Sequence, residues 1–172
     1  MAISRLNHAV LYVRDAQRSA RFYTDVLGFR VVMSMGDRAV FVQAPDSTND
    51  HDLGLFSLGD GAGSSSAGRS TVGLYHLAWE VQTLSDLVDL RTKLATAGAL
   101  VGATDHSTSK SLYGHDPDGI EFEIAWLVPA DRIDDAVLDG RSAMAPLNLE
   151  AEIARYGADT RGGIGVSSPA SP

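Results

Sequence analysis

Two similar stretches of sequence open the two halves of the chain, and this internal repeat most restricts the possible folds. Residues 6–13 read LNHAVLYV and residues 74–81 read LYHLAWEV. Each stretch begins with Leu, has His at its third position and ends with Val, and runs of this composition are typical of β-strands. We therefore expect two related units, each opened by a strand that carries a histidine, His8 or His76.

The same order of elements follows in each half. One helical spacing of apolar residues runs from its N-cap candidate Asp15 to Gly28, and the other runs from its cap candidate Ser85 to Gly98. Three extended segments follow each helix, at residues 29–35, 39–43 and 53–58 in the first half and at residues 99–104, 107–113 and 120–127 in the second. Each half thus reads as a βαβββ module, and two such modules predict an α+β fold in which they pair by pseudo-twofold symmetry around a shared cavity.

The domain organisation follows from a change in composition between the modules. A Gly/Ser-rich linker at residues 59–70 separates module 4–58 from module 72–128. We expect these modules to form a single domain over residues 1–128. The C-terminal tail, residues 129–172, is predicted to hold a short helix and to end in disorder.

Charge and composition narrow the possible partners and chemistry. The chain has 14 Lys and Arg against 22 Asp and Glu, a net charge of -8, which disfavours nucleic acid and membrane surfaces as partners. It has no Cys, so His and carboxylates are the available metal ligands. Neither a secretion signal nor a long apolar run is recognisable, and we expect a cytoplasmic protein.

A turn followed by two acidic residues marks the last hairpin. The residues DPDG at 116–119 are typical of a tight turn between strands. After this turn Glu121 and Glu123 share one face of the predicted strand, while Phe122 lies on the other face. A carboxylate that points inward from such a strand needs a partner, and a metal ion is one.

These residues suggest a metal site. His8, His76 and one of the two carboxylates form a two-His, one-carboxylate set with open positions on its opposite side, which suits Fe(II) together with a bidentate substrate and dioxygen. Mn(II) or another divalent ion fits the same ligands. Periodicity alone does not choose between Glu121 and Glu123.

The two modules, their opening histidines and the turn before a Glu resemble the vicinal oxygen chelate superfamily (glyoxalase/bleomycin resistance/dioxygenase). It includes glyoxalase I, epimerases, fosfomycin-resistance transferases, bleomycin-binding proteins and type I extradiol ring-cleavage dioxygenases. The resemblance covers residues 4–128. In that superfamily the Glu four places after the turn Gly is the ligand, so the resemblance implies the metal ligands His8, His76 and Glu123.

Residues 104–123 also resemble the signature of the extradiol dioxygenases. The resemblance implies that His106 and Tyr113 donate hydrogen bonds to substrate oxygens. It implies as well that His51, in a His-led strand, is the acid-base histidine, a role that suits an imidazole with a reference pKa of about 6.5. His115, in the turn itself, is interpreted as structural or solvent-facing.

The resemblance therefore implies a small, one-domain Fe(II)-dependent extradiol dioxygenase, similar to catechol 2,3-dioxygenases, that cleaves a catechol-like substrate with dioxygen. Larger members have four modules, so we expect this chain to form a homodimer. One alternative is a metal-dependent isomerase or lyase of the glyoxalase I type. It is disfavoured because residues 53–58 offer no carboxylate as a fourth ligand. The other alternative is a metal-free antibiotic-binding resistance protein, which needs aromatic walls more than ligands.

Overall fold

The computed structural model of the chain describes residue 3, residues 5–65 and residues 70–163. It has two β-sheets, one of four strands and one of five, together with α-helices. The predicted α+β class and its two βαβββ modules are confirmed. Among the described residues, no helix has the length and apolar character needed to cross a membrane.

The chain divides into two compact units. Unit 1 comprises the residues up to 66 together with Asp116–Ile120, and unit 2 comprises residues 67–115 and the residues from 121 onward. The boundary falls inside the predicted linker, of which residues 66–69 lie outside the described residues. Disorder is predicted for the last dozen residues, of which residues 164–172 also lie outside the described part of the chain.

The described residues of unit 1 form a four-stranded sheet with one helix. The helix α1 begins where the Asp15 side chain accepts hydrogen bonds from the backbone N–H groups of Gln17 and Arg18, so the predicted N-cap is confirmed. The sheet order is β1-β4-β3-β2, with β1 parallel to β4. The elements are β1 (Ala9–Val13), α1 (Ala16–Asp25), β2 (Arg30–Ser34), β3 (Ala39–Gln43) and β4 (Leu53–Ser57).

The core of unit 1 lies on one face of this sheet. Alternate residues of β1, β3 and β4 are almost fully buried, and β3 and β4 contact α1, whose residues Ala16, Ala20 and Tyr23 are buried in turn. Period-two burial on strands and burial at i, i+4 and i+7 on the helix follow from the geometry of the two elements. The buried strand residues are Leu11, Val13, Val40, Val42, Leu53 and Leu55.

Unit 2 repeats the arrangement and extends it. Its sheet order is β5-β8-β7-β6-β9, with β5 parallel to β8. Two 3-10 turns, at Ala130–Arg132 and Gly140–Ser142, lie in the segment after β8. The elements are β5 (Leu77–Glu80), α2 (Leu84–Thr96), β6 (Leu100–Asp105), β7 (Ser109–His115), β8 (Glu121–Leu127), α3 (Asp135–Asp139), β9 (Ala145–Pro146) and α4 (Leu149–Tyr156).

The start of α2 differs from the prediction. Thr83, and not Ser85, is the N-cap, because its side chain accepts from the backbone N–H of Asp86 while Asp86 accepts from the backbone N–H of Thr83. This reciprocal capping box satisfies two N–H groups at once, which a cap at Ser85 does not do. The Ser85 hydroxyl instead contacts the carboxylate of Asp159, at 2.9 Å.

The segment after β8 is part of the unit 2 fold. Strand β9, which the sequence did not predict, pairs antiparallel with β6. Helix α4 places Glu152 beside Lys110, whose side chain is only 1% exposed. The Nζ atom of Lys110 lies 2.5 Å from the Asp105 carboxylate and 3.0 Å from the Glu152 carboxylate. The described part of the predicted tail therefore adds an edge strand to this sheet and brings Glu152 to a buried lysine that already contacts Asp105 of β6.

Within unit 1, the turn residue Asp118 is bound by two arginines. Its carboxylate accepts from the backbone N–H of Arg14 at 2.9 Å and from the guanidinium groups of Arg14 at 2.8 Å and Arg18 at 2.5 Å. Burial opposes ionisation of this carboxyl, but the hydrogen bonds from Arg14 and Arg18 outweigh it and lower the pKa of Asp118. The turn is thereby held against the start of α1.

We expect Asp118→Asn to lower the free energy of unfolding by about 1–2 kcal/mol at pH 7, since both arginines are partly exposed and solvent weakens the interaction. The pKa of Asp118 is lowered in the folded state. The Asp118 carboxylate therefore contributes fully to the free energy of unfolding above its unfolded-state pKa of about 3.9. This contribution is lost as pH falls below that value. Urea unfolding of both proteins at pH 7, 5 and 3 checks this. A difference of the same size at pH 3 contradicts it.

Candidate functional site

The two repeated histidines occupy equivalent positions in the two units. His8 directly precedes β1 and His76 directly precedes β5. Each opening strand pairs in parallel with the last strand of its own βαβββ module, β4 or β8. His8 therefore lies near the start of β4, which His51 precedes. His76 lies near the start of β8, which carries Glu123.

In unit 1 the structure brings His8 and His51 together. Their ring centroids are 4.5 Å apart, and the ring of Phe41 packs edge-on against His51 at 5.0 Å. Nδ1 of His8 lies 2.7 Å from the Asn7 side-chain oxygen, and Nδ1 of His51 lies 2.9 Å from the Asp50 carboxylate. These contacts engage Nδ1 of both rings, so we assign any further bond of either imidazole to its Nε2.

In unit 2 the structure brings four predicted residues into one connected group. His76 Nε2 lies 3.0 Å from Glu123 Oε2. Tyr113 is the cross-strand partner of Glu123, and its hydroxyl lies 2.8 Å from His106 Nε2. The side chains of His76 and Glu123 are 24% and 14% exposed, so both are accessible to a small ligand without being free in solvent.

The environment of Tyr113 raises the pKa of its phenol. Burial, the negative charge of Glu123 and a hydrogen bond to Glu123 are the main causes that raise the pKa of Tyr113 to about 12. At neutral pH this side chain is a neutral hydrogen-bond donor. That state matches the donor role that the sequence resemblance implies for Tyr113.

Two further residues join the same group: Glu121, which the resemblance left outside the ligand set, and His115, which the sequence predicted to be structural or solvent-facing. Glu121 Oε1 lies 3.8 Å from His76 Nδ1, and Glu121 Oε2 lies 3.5 Å from His115 Nε2. His115 is the cross-strand partner of Glu121. The period-two pattern already placed Glu121 on the face of Glu123, but nothing in the sequence placed its carboxylate beside the ring of His76.

The spacing of His76 and Glu123 suits a shared metal ion. Two adjacent ligands of an octahedral ion at about 2.1 Å are about 3.0 Å apart, and 3.0 Å is the separation of His76 Nε2 and Glu123 Oε2. One imidazole and one carboxylate are also a donor set that Fe(II) accepts. No group of three His, Asp or Glu poised around one point occurs within residues 5–65 and 70–163, and the third predicted ligand, His8, belongs to unit 1.

Comparison with known protein families gives one match over most of the chain. The profile of the Glyoxalase/Bleomycin resistance protein/Dioxygenase superfamily matches residues 5–124. Biphenyl-2,3-diol 1,2-dioxygenase 3 of Rhodococcus globerulus is 34% identical over 121 residues, which are 70% of this chain and 62% of that protein. Catechol-2,3-dioxygenase of Bacillus subtilis (strain 168) is 30% identical over 122 residues, 70% of this chain and 41% of that protein. The chain thus spans less than two thirds of either relative.

Solved structures share the fold. A glyoxylase/bleomycin resistance protein/dioxygenase domain from Frankia sp. EAN1pec superimposes with a TM-score of 0.60 at 29% identity and covers 72% of this chain and 92% of that one. A lactoylglutathione lyase from Agrobacterium tumefaciens superimposes with a TM-score of 0.54 at 20% identity, over 73% of this chain and 95% of that one. The second likeness concerns the fold alone.

Proposed function

This chain belongs to the Glyoxalase/Bleomycin resistance protein/Dioxygenase superfamily, and we propose that it is an Fe(II)-dependent extradiol dioxygenase that cleaves the ring of a catechol-like substrate. The observation that carries the proposal is the group in unit 2. There, a His–carboxylate pair with the spacing of two metal ligands adjoins a protonated tyrosine and a histidine. Similarity to two diol dioxygenases supports the same reaction.

In this proposal His8, His76 and Glu123 hold the ion, leaving its other positions for substrate and dioxygen. Fe(II), when bound, would supply the electron transfer that lets a catechol react with dioxygen. Of the two imidazole ligands, His8 already has its second ring nitrogen in a contact. His8 Nδ1 contacts Asn7, so its Nε2 is the nitrogen that binds.

The remaining residues handle protons and substrate oxygens. His51 holds and returns a proton at Nε2, since its Nδ1 contacts Asp50 and its ring lies against His8. Tyr113 is protonated at neutral pH and donates its O–H to a substrate oxygen where negative charge develops. His106, at 2.8 Å from the Tyr113 hydroxyl, orients this donor.

The isomerase alternative is less well supported by the same residues. Strand β4 reads LGLFS and contributes no carboxylate to a fourth ligand position. An ion held by three protein ligands keeps more positions open, as a reaction with two external ligands requires. The antibiotic-binding alternative assigns no chemical role to the His76–Glu123 pair.

The test is a reaction in air after anaerobic loading with Fe(II). We expect catechol, aryl catechols or carboxylated catechols to give a coloured ring-fission product with matching oxygen uptake. Loading with Zn(II), which has no redox chemistry, is the control and should give neither. A protein that binds iron and consumes no oxygen with any of these diols contradicts the dioxygenase proposal and favours the isomerase alternative.

The variant His51→Ala separates the proton-transfer role from metal binding. We expect iron to remain bound and kcat to fall by about 10²-fold or more, the usual contribution of a general acid-base group. Iron content after gel filtration and single-turnover rates measure the two effects. Loss of iron from this variant contradicts the role given to His51, and Asp50→Asn, which keeps the imidazole, serves as the milder comparison.

A further inference from the structure

We infer that Glu121 is a positioning residue for His76: its carboxylate accepts the Nδ1 proton of His76 and so keeps Nε2 free to bind the metal ion. This inference rests on the proposed metal site. It goes beyond that proposal because the superfamily pattern identifies only Glu123 in this strand as a ligand and assigns nothing to Glu121.

The first observation is a buried nitrogen without a hydrogen bond. His76 Nδ1 is buried and makes no hydrogen bond to the described residues. The carboxylate nearest to it that we find is Glu121, with Oε1 at 3.8 Å. In the tautomer with its proton on Nδ1, this buried N–H needs an acceptor, and closing the gap to hydrogen-bond distance takes a shift of about 1 Å.

The second observation concerns the other ring nitrogen. His76 Nε2 faces Glu123 at 3.0 Å, and a neutral imidazole that donates to this carboxylate carries its proton on Nε2. A metal ligand must present a lone pair there, so metal binding requires the proton to reside on Nδ1. Glu121 is the acceptor on that side of the ring, and it therefore favours the tautomer that binds metal.

The third observation is that Glu121 is itself held in place. It is 20% exposed, and its second oxygen lies 3.5 Å from His115 Nε2, on the neighbouring strand of the same sheet. Glu121 thus lies between two imidazoles, on the strand face that also carries Glu123. An unconstrained surface glutamate has neither the burial nor the two neighbours.

Metal-bound histidines commonly donate their second N–H to a carboxylate, and removal of that carboxylate lowers metal affinity by about 10–100-fold. We expect Glu121→Ala to weaken binding of Co(II) or Fe(II) by this factor. Glu121→Gln should lose less, since an amide oxygen still accepts the Nδ1 proton. Glu150→Ala, which removes an exposed glutamate on α4 of the same unit, is the matched control and should bind metal like the wild type.

The experiment is an anaerobic titration of the four full-length proteins with Co(II), followed by absorption spectroscopy, with thermal unfolding of the metal-free proteins as a check on folding. A second readout is independent of affinity and activity. In ¹⁵N-labelled protein loaded with Zn(II), His76 should show a protonated Nδ1 in the wild type, and the population of this tautomer in the metal-free protein should fall in Glu121→Ala.

The outcomes separate this inference from the proposed function. If the wild type binds Co(II) and Glu121→Ala binds it equally well with an unchanged tautomer, Glu121 has no positioning role and the metal site stands. If the wild type binds no divalent ion, the proposed function fails and the inference fails with it. If Glu121→Ala does not fold, the Zn(II)-loaded wild type decides: His76 bound to the ion through Nδ1, with its proton on Nε2, overturns the inference while the metal site stands.

Discussion

Replacing Glu123 with Gln should lower Fe(II) affinity by more than about 100-fold and reduce ring cleavage to the background rate. The loss of affinity should be larger than the loss of about 10–100-fold that is typical of residues that only support a ligand. The reason is that the variant removes a charged ligand from the ion itself. Glutamine keeps the size of the side chain and can still accept from Tyr113, so we expect the metal-free protein to fold. Anaerobic titration with Fe(II) and oxygen uptake with catechol measure the two effects.

The same variant has a consequence that does not involve metal. The Glu123 carboxylate is one of the causes, after burial, that raise the pKa of Tyr113, so removing its charge should lower that pKa. Ultraviolet titration of Glu123→Gln against wild type measures this, with Glu150→Gln as the control. Unchanged iron affinity in Glu123→Gln contradicts its role as a ligand, and an unchanged tyrosine titration contradicts the contact with Tyr113.

Replacing Lys110 with Met should destabilise the protein by about 3–5 kcal/mol, the usual effect of removing one partner from a buried ion pair. Lys110 is 1% exposed and lies between Asp105 and Glu152, which are 25% and 12% exposed. Methionine fills a similar volume, so the variant leaves two carboxylates in a partly buried site without their cation. Denaturant unfolding followed by circular dichroism measures the change.

The control for Lys110 is Lys93→Met, in the exposed last turn of α2, where we expect a change within about 0.5 kcal/mol. A second comparison is the double variant Lys110→Met with Glu152→Gln. It should recover part of the lost free energy of unfolding because one of the two unpaired carboxylate charges is removed. If Lys110→Met unfolds at the same denaturant concentration as the wild type, Lys110 does not hold helix α4 against the sheet.

The sequence predicted the parts of this protein that repeat or that follow local geometry. The two opening histidines were found because they recur at equivalent positions, and the pairing of β7 with β8 followed from the Asp116–Gly119 turn. Strand alternation placed Glu121 and Glu123 on one face and Phe122, which is buried, on the other. The cap of α2 was missed although its signal, Thr83 with Asp86 three residues later, was present.

Contacts between distant residues could not be predicted in the same way. Lys110 and Glu152 are far apart in sequence, and neither shows a pattern that indicates burial; only the docking of α4 brings them to 3.0 Å. The same holds for Glu121 and the Nδ1 atom of His76, whose distance depends on the register of β5 against β8. The superfamily pattern implied Glu123 as the ligand and assigned no role to Glu121, two places before it.

The most direct test of the central claim is a crystal structure of the protein loaded anaerobically with Fe(II), with the iron located by its anomalous scattering. We predict one iron per chain, bound by His8, His76 and Glu123, with Tyr113 and His51 beside its open positions. Iron bound without His8, or bound at a place remote from the His76–Glu123 pair, contradicts the three-ligand site and with it the dioxygenase proposal.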